Sequence, residues 1–176
     1  MHSRLLAALL ILSLGGCSNG AAGDGTAGGG TAGTANAAAG GTATVAGTLP
    51  LTIHSANGKH VFTVEAAKTE AEQARGLMFR TDLKPEGGML FWPYPADGGA
   101  PREASFWMSN TPSPLDIIYI RADRTIARIA ENTVPFSEAP IPSGEPVAAV
   151  LEIMGGRSGE LGIAEGDRVE WPGAPG

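Results

Sequence analysis

A long low-complexity segment limits what this chain can fold into. From Ser18 to Thr48 the sequence consists almost wholly of Gly, Ala, Thr and Asn, with no aromatic residue and almost no charge. Such a composition buries too little apolar surface to offset the entropy lost on ordering, so we expect a disordered linker. Residues 49–171 are then enough for one modest core and a single domain, followed by a short tail at 172–176.

The chain begins with the features of a secretory lipoprotein signal. Arg4 supplies a positive charge, an apolar stretch runs from Leu5 to Leu14, and small residues precede Cys17, the one cysteine in the sequence. The apolar stretch has the length of a signal-peptide core and is too short to span a bilayer. We therefore predict removal of residues 1–16 and acylation of Cys17, which would anchor the protein to a membrane.

The predicted anchor and linker indicate an envelope protein held off a membrane surface. About thirty Gly-rich residues behave as a coil that spans roughly 30 Å. Ser18 follows the cysteine, where aspartate would favour retention in the inner membrane, so we expect the outer membrane facing the periplasm. The net charge of −6 argues against a nucleic-acid partner. A match to the dinucleotide fingerprint at 28–33 has no strand before it and no helix after it, and we expect no cofactor.

The pattern within the folded part is mostly that of β-strands. Asn57-Gly58 predicts a hairpin turn, Arg121–Arg124 predicts a second turn, and a capping box at Thr69 predicts a helix that Gly76 ends. A second helical turn is expected near Ser158. We expect a compact antiparallel β-sandwich of jelly-roll type, or a partly open barrel, with one or two short helices.

The strand boundaries follow from apolar runs and turn residues. The predicted strands are Leu49–Ile53, Val61–Ala66, Gly88–Trp92, Ala104–Met108, Leu115–Ile120, Thr125–Ala130, Val147–Ile153 and Arg168–Trp171. Proline-rich loops are expected at Pro93–Pro101, Thr111–Pro114 and Pro135–Pro146.

Several ordered segments resemble one protein family. They are Glu65–Arg80, Gly88–Phe91, Phe106–Thr111, Pro114–Ile120, Val150–Glu152 and Leu161–Asp167. Over about residues 61–169 the chain is similar to the bacterial and archaeal domain-of-unknown-function family 192 (DUF192). The resemblance implies a compact, mainly antiparallel β-fold of jelly-roll type with a short helix after the second strand, often behind a signal or lipid anchor. It implies no activity.

One polar and aromatic group stands out as a candidate ligand-binding surface. An inward-pointing Asp116 needs a partner, because an unpaired buried carboxylate is costly, and Arg75 or Arg80 is the expected partner. Such a pair either pins the helix to the sheet or belongs to a ligand site. The candidate residues are Gln73, Arg75, Arg80, Trp107, Asn110 and Asp116.

Two weaker patterns suggest metals. Thioethers bind Cu(I) in extracytoplasmic compartments, although methionine is more often a core filler and no Met-x-x-Met pair occurs. His54 and His60 flank the predicted turn and either pair across the hairpin around a metal ion or are partly exposed strand residues. The methionines concerned are Met78, Met89, Met108 and Met154.

Three functions remain open. The first is a non-catalytic envelope module that binds a small molecule or a partner protein around Arg75, Trp107 and Asn110. The second is a copper-handling lipoprotein that uses its methionines. The third is an envelope hydrolase with a carboxylate pair such as Glu65 and Asp116, since glycosidases need two carboxylates at a fixed separation. The first is preferred because the sequence contains no paired catalytic signature.

Overall fold

The computed structural model describes residues 47–174. The predicted signal peptide, Cys17 and nearly all of the predicted linker lie outside this range. The described part is mainly β, with nine strands and two short helices. Neither helix is long and apolar enough to cross a bilayer. In chain order the elements are β1 Thr48–Ser55, β2 Gly58–Ala67, α1 Glu70–Arg75, β3 Gly87–Phe91, β4 Arg102–Phe106, β5 Leu115–Ile120, β6 Ile126–Ala130, β7 Ile141–Val147, β8 Ala149–Met154, α2 Arg157–Leu161 and β9 Arg168–Glu170.

Seven of the strands form one nearly closed, barrel-like sheet. Their order is β6-β5-β8-β3-β2-β1-β9. A bridge between Thr125 and Arg168 and a hydrogen bond from Val169 N to Arg124 O join the two edges. The expected β-fold is confirmed in its partly open barrel form. One pair departs from the antiparallel expectation, because β2 and β3 run parallel.

Local sequence signals explain the first hairpin. Ser55 pairs with Gly58, so the predicted hairpin is confirmed, but its two central residues are Ala56 and Asn57, one position earlier than the predicted Asn57-Gly58. Alternation along β1 and β2 buries every second side chain, among them Ile53 and Phe62. The hairpin is therefore specified by a short turn and a two-residue period, both of which are local properties of the chain.

The seven-stranded sheet carries a separate core cluster on each face. One cluster includes Leu51, Phe62, Leu90 and Leu151, and the other includes Phe91, Ile117, Tyr119 and Val150. The register assigns neighbouring residues to these faces in rows, because directly paired residues share a face. Glu65, Met89, Glu152 and Ile117 form one row across four strands, on the face of the second cluster.

β4 and β7 form a separate two-stranded sheet. The prediction that Pro135–Pro146 is a loop was therefore wrong from Ile141 onward. Pro142 and Pro146 lie opposite Ser105 and Glu103, at an irregular register. Proline lacks an N–H, so it weakens a strand assignment, but a strand of a two-stranded sheet tolerates it. Ser143 restores one bond, because its Oγ accepts from Ala104 N at 2.9 Å.

Helix α1 begins and ends where the sequence predicted. Thr69 Oγ1 accepts from Glu72 N at 3.3 Å, and Glu72 Oε2 accepts from Thr69 N at 2.9 Å. This reciprocal pair is a complete capping box. Gly76 closes the helix with φ of 48° and donates its N–H to Glu72 O. A short helix is thus fixed at both ends by local bonds.

Candidate functional site

Asp116 is buried, but its partners are not arginines. Its Oδ1 accepts from Asn132 N and Gly156 N, each at 2.7 Å. Its Oδ2 accepts from Ser158 N at 2.7 Å and from Ser158 Oγ at 2.5 Å. Four donors therefore satisfy the carboxylate, and three of them are backbone amides: two around the start of α2 and one in the loop after β6. Asp116 ties α2 and the loop after β6 to β5, so the predicted ion pair with Arg75 or Arg80 was wrong.

The two arginines have separate surroundings. Arg80 binds Glu65 through two hydrogen bonds of 3.1 and 3.3 Å, and its Nε lies 2.6 Å from Asp82 Oδ1. These carboxylates raise the pKa of Arg80 above its ordinary value. Arg75 is exposed, and its side chain makes no ion pair or hydrogen bond within residues 47–174. Of the two, Arg75 is the one available to an external partner.

The proposed carboxylate pair does not come together. Glu65 belongs to the row on the face of the second core cluster, whereas Asp116 shares a row with Ile153, Gly88 and Val64 on the opposite face. The two carboxyl groups are therefore separated by the sheet and cannot act on one bond. The hydrolase hypothesis that depended on them was wrong.

The histidines are also separated by their register. His54 pairs with Lys59, and His60 pairs with Ile53, so the two imidazoles lie on opposite faces of the hairpin. His54 Nε2 lies 3.0 Å from Glu170 Oε2, and His60 Nε2 lies 2.9 Å from Ser55 Oγ. The alternative in which they pair around a metal ion was therefore wrong, and both are partly exposed strand residues. No group of three or more His, Cys, Asp or Glu side chains between residues 47 and 174 is arranged to hold a metal ion.

The methionines of the copper hypothesis lie in different surroundings. Met89 and Met108 belong to the second core cluster. Met108 Sδ accepts a hydrogen bond from Thr133 Oγ1 at 3.1 Å, and Met154 pairs with Leu115 at the end of β8. Only Met78 of the four lines the cavity described next. They are mostly packing residues.

A cavity of about 450 Å³ lies between α1 and β4, on the face of the second core cluster. It brings together three of the six predicted site residues, namely Gln73, Arg75 and Trp107. Asn110, Arg80 and Asp116 do not line it. The other lining residues include Glu70, Gly76, Met78, Phe91, Tyr94, Arg102, Ser105, Phe106, Thr111 and Glu152.

Gln73 and Asn110 position the walls of this cavity. Gln73 Nε2 donates to Ala67 O at 3.1 Å and to Pro93 O at 2.8 Å, which fixes α1 to the end of β2 and to the following loop. Asn110 O accepts from Phe79 N at 2.8 Å. Both residues were predicted as ligand contacts, and in the structure both hold chain segments beside the cavity.

Glu152 is the polar residue that sequence reasoning missed. It is 4% exposed and lines the cavity, yet its Oε2 has no hydrogen-bond partner within residues 47–174. Burial raises the pKa of this carboxyl to about 8. A Cβ atom at Gly76 would lie 3.7 Å from the same oxygen. The sequence signal that could have identified Glu152 is its position as a single acidic residue within the apolar run of β8.

Aromatic side chains form much of the remaining wall. Phe91 and Phe106 meet edge to face, with ring centroids 5.0 Å apart, and Tyr94 lies 6.0 Å from Phe106. Trp107 is 53% exposed at the cavity. An exposed indole next to a buried carboxyl gives the cavity an apolar wall and a polar floor, as is typical of small-molecule sites.

Strained backbone surrounds the loop that carries Trp107. Phe79, Asn110 and Phe136 have φ of 63°, 54° and 59°, in the left-handed region that bulky residues rarely adopt. Phe79 N donates to Asn110 O, and Phe136 N donates to Thr111 O. Such strain persists only where surrounding structure imposes it, and it clusters at functional sites.

Two solved structures share this fold. A protein of unknown function from Novosphingobium aromaticivorans is 50% identical, with a TM-score of 0.67, and covers 81% of this chain and 100% of its own. A candidate transcription regulator from Sinorhizobium meliloti is 42% identical, with a TM-score of 0.65, and covers 70% of this chain and 93% of its own.

The family comparison covers most of the described part. No curated protein matches the chain. The DUF192 family, described as an uncharacterized ACR, matches residues 52–171. That range includes every residue of the cavity and of the Asp116 network. The sequence resemblance is therefore confirmed, and the chain belongs to the DUF192 family.

Proposed function

We propose that this domain is a non-catalytic module that binds a small molecule in the cavity between α1 and β4. The observation that carries the proposal is Glu152, a buried carboxyl that lines the cavity and whose Oε2 has no partner among the described residues. A buried polar atom left unsatisfied costs about 1–3 kcal/mol, so a ligand that satisfies it recovers free energy on binding. The side chain of Arg75, which has no ion pair or hydrogen bond among residues 47–174, adds a second polar group at the same cavity.

The lining residues favour binding over catalysis. Neither histidine nor cysteine lines the cavity, so Ser105 has no imidazole beside it to activate its hydroxyl. Glu152 is the one lining acid with a strongly raised pKa. A single perturbed carboxyl, aromatic walls and an unpaired guanidinium are the parts of a recognition site.

The copper alternative receives less support. Thioether coordination of Cu(I) needs several sulfurs around one ion. Met78 lines the cavity, whereas Met89 and Met108 fill the second core cluster. We therefore keep small-molecule binding as the proposal.

The cellular setting of the proposal follows from the sequence. The predicted acylation of Cys17 and the Gly-rich linker would hold this module near a membrane of the envelope, at the outer membrane facing the periplasm. The name of the Sinorhizobium meliloti structure suggests a regulatory role for that protein. For this chain the net charge of −6 disfavours a nucleic-acid interface.

Thermal unfolding tests the proposal directly. The purified protein is heated with a panel of small molecules that includes neutral sugars, simple anions, amines and amino acids. A ligand at 100 times its Kd should stabilise the folded state by about 2.7 kcal/mol and raise Tm by several degrees. Trp107→Ala should abolish the shift, because it removes the exposed wall of the cavity.

Arg168→Gln is the matched control. Arg168 is exposed on β9, away from the cavity lining, and its substitution should leave ligand shifts unchanged. If no member of the panel stabilises the wild type, or if Trp107→Ala responds as the wild type does, the binding-module proposal is wrong.

A further inference from the structure

The buried carboxyl of Glu152, on the floor of the cavity, can pair with a positive group of a ligand. Glu152 Oε2 has no hydrogen-bond partner in the part of the chain that the structure describes, and it is buried among apolar neighbours on β8. In its row it lies between Met89 on β3 and Ile117 on β5, neither of which can donate a hydrogen bond. A ligand group that reaches this oxygen either accepts a hydrogen bond from the protonated carboxyl or, as a cation, displaces the proton and pairs with the carboxylate.

The aromatic wall favours the same sign of charge. Ring faces carry negative potential, and a cation within about 6 Å of a ring centroid is attracted to it. Phe91, Tyr94, Phe106 and Trp107 all line the cavity with Glu152. Rings beside a buried carboxyl are the combination that recognises organic ammonium groups.

The side of the cavity formed by α1 carries the opposite charge. Arg75 lines the cavity, and its side chain has no ion pair or hydrogen bond within residues 47–174. It directly precedes Gly76, whose Cβ position is 3.7 Å from Glu152 Oε2. A positive and an acidic residue therefore line the same cavity.

We infer that the cavity binds a small zwitterion, an organic ammonium that carries an acidic group a few atoms away. This inference rests on the proposed function and names its ligand class. The ammonium lies against Glu152 among the aromatic rings, and the acidic group pairs with Arg75. Amino acids, betaines and phosphorylated amino alcohols share this chemistry.

Arg102, Glu65 and Tyr119, which line the cavity or lie on the same face as Glu152, are already engaged or uncharged. Arg102 lines the cavity and lies 3.5 Å from Asp97. Glu65 shares the row of Glu152 but binds Arg80. Tyr119 packs on the same face, where burial raises its pKa, so its phenol stays neutral. Glu70 also lines the cavity, near the start of α1, and adds negative charge.

Ligand binding should move a proton. The free carboxyl of Glu152 has a pKa near 8 and is mostly protonated at pH 7. An ammonium next to it lowers this pKa, so close to one proton leaves for each ligand bound. Titration calorimetry at pH 7 in two buffers with different ionisation enthalpies measures this release.

The calorimetric probes are β-alanine, glycine betaine and phosphocholine, compared with choline as a cation and acetate as an anion. We expect at least one zwitterion to bind ten times more tightly than choline or acetate. Glu152→Gln should weaken that zwitterion at least tenfold and abolish proton release. In Arg75→Gln, that zwitterion should bind no more tightly than choline does. Glu138→Gln and Arg168→Gln, both exposed and away from the cavity lining, are the controls.

Each outcome decides between the two proposals. A wild type that binds none of the zwitterions, or binds choline as tightly, overturns the inference, as does an unchanged affinity in Glu152→Gln. If a sugar or a simple anion binds instead, and Trp107→Ala abolishes that binding, the binding-module proposal is retained and the zwitterion inference is refuted. Vesicles of phosphatidylcholine separate a lipid headgroup from a free ligand: binding to vesicles favours the headgroup, and binding of free phosphocholine alone favours the soluble molecule.

Discussion

Glu152 makes the stability of the fold depend on pH. Its carboxyl has a pKa of about 8 in the folded protein and an ordinary value of 4.5. Between these values the folded state keeps a proton that the unfolded state has released, so stability falls as pH rises from about 4.5 to 8 and then levels. Each pKa unit is worth about 1.4 kcal/mol, which makes this loss several kcal/mol at most.

Glu152→Gln should remove this pH dependence. The amide is isosteric and does not ionise, so denaturant unfolding should give a free energy of unfolding that declines much less between pH 5 and pH 8. Glu138→Gln, at an exposed position, should keep the wild-type decline. Parallel pH curves for wild type and Glu152→Gln would show that the buried carboxyl does not hold its proton.

Asp116 has a structural role that can be separated from binding. Asp116→Asn turns one acceptor oxygen into a donor facing backbone N–H groups, so it should cost about 3 kcal/mol of folding free energy. Arg75→Gln should cost almost nothing, because Arg75 is exposed and has no partner in the described residues. Urea unfolding of both variants and of the double variant should give a coupling energy near zero. Strong coupling would restore the ion pair that the geometry excludes.

At the scale of elements, α1 is stabilised by a local capping box and carries residues that line the cavity. Thr69→Ala removes the hydroxyl that accepts from Glu72 N and should cost about 1 kcal/mol. The helix carries Gln73 and Arg75, so its fraying should also weaken ligand binding more than it lowers stability. Thermal unfolding and calorimetry check the two effects. Thr69→Ser, which keeps the cap, should behave as the wild type in both.

The elements that sequence predicted well are those specified by neighbouring residues. The capping box at Thr69 and the turn between β1 and β2 each depend on bonds within a few positions, and both are confirmed. β7 was missed because its prolines argue against a strand, and only its pairing with β4 makes it one. The parallel pairing of β2 and β3 was also missed, because α1 and a loop separate the two strands in the sequence and no local signal indicates their pairing.

In the candidate site, too, local sequence features were predicted and contacts between distant residues were missed. Exposed polar and aromatic residues near a helix end were enough to select Gln73, Arg75 and Trp107. The partners of Asp116 come from residues 16 to 42 positions away, so the sequence offered arginines where the fold supplies backbone amides. Glu152 was missed because an acidic residue in an apolar strand reveals its role only when the facing wall is known.

At the scale of the whole molecule, the site lies on one face of a barrel whose other face has its own core. The two core clusters are distinct, and the cavity adjoins only the second. A ligand can therefore reach Glu152 without disturbing Leu51, Phe62 or the residues packed with them. Because the wall of β4 and β7 is a separate small sheet, it can vary around the ligand while the barrel stays intact.

The last prediction concerns how the predicted N-terminal anchor would place this site. Acylation of Cys17 would supply membrane affinity at roughly 0.8 kcal/mol per buried methylene, and the chain has no second cysteine to replace it. Cys17→Ser should therefore move the protein from the membrane fraction to the soluble fraction and abolish labelling with palmitate. Ser18→Ala should keep both label and membrane association, because it leaves the acylated position unchanged. Wild-type protein that takes up no palmitate would refute the anchor, whereas ligand binding by the domain should be the same in Cys17→Ser, since Cys17 precedes the family domain by more than thirty residues.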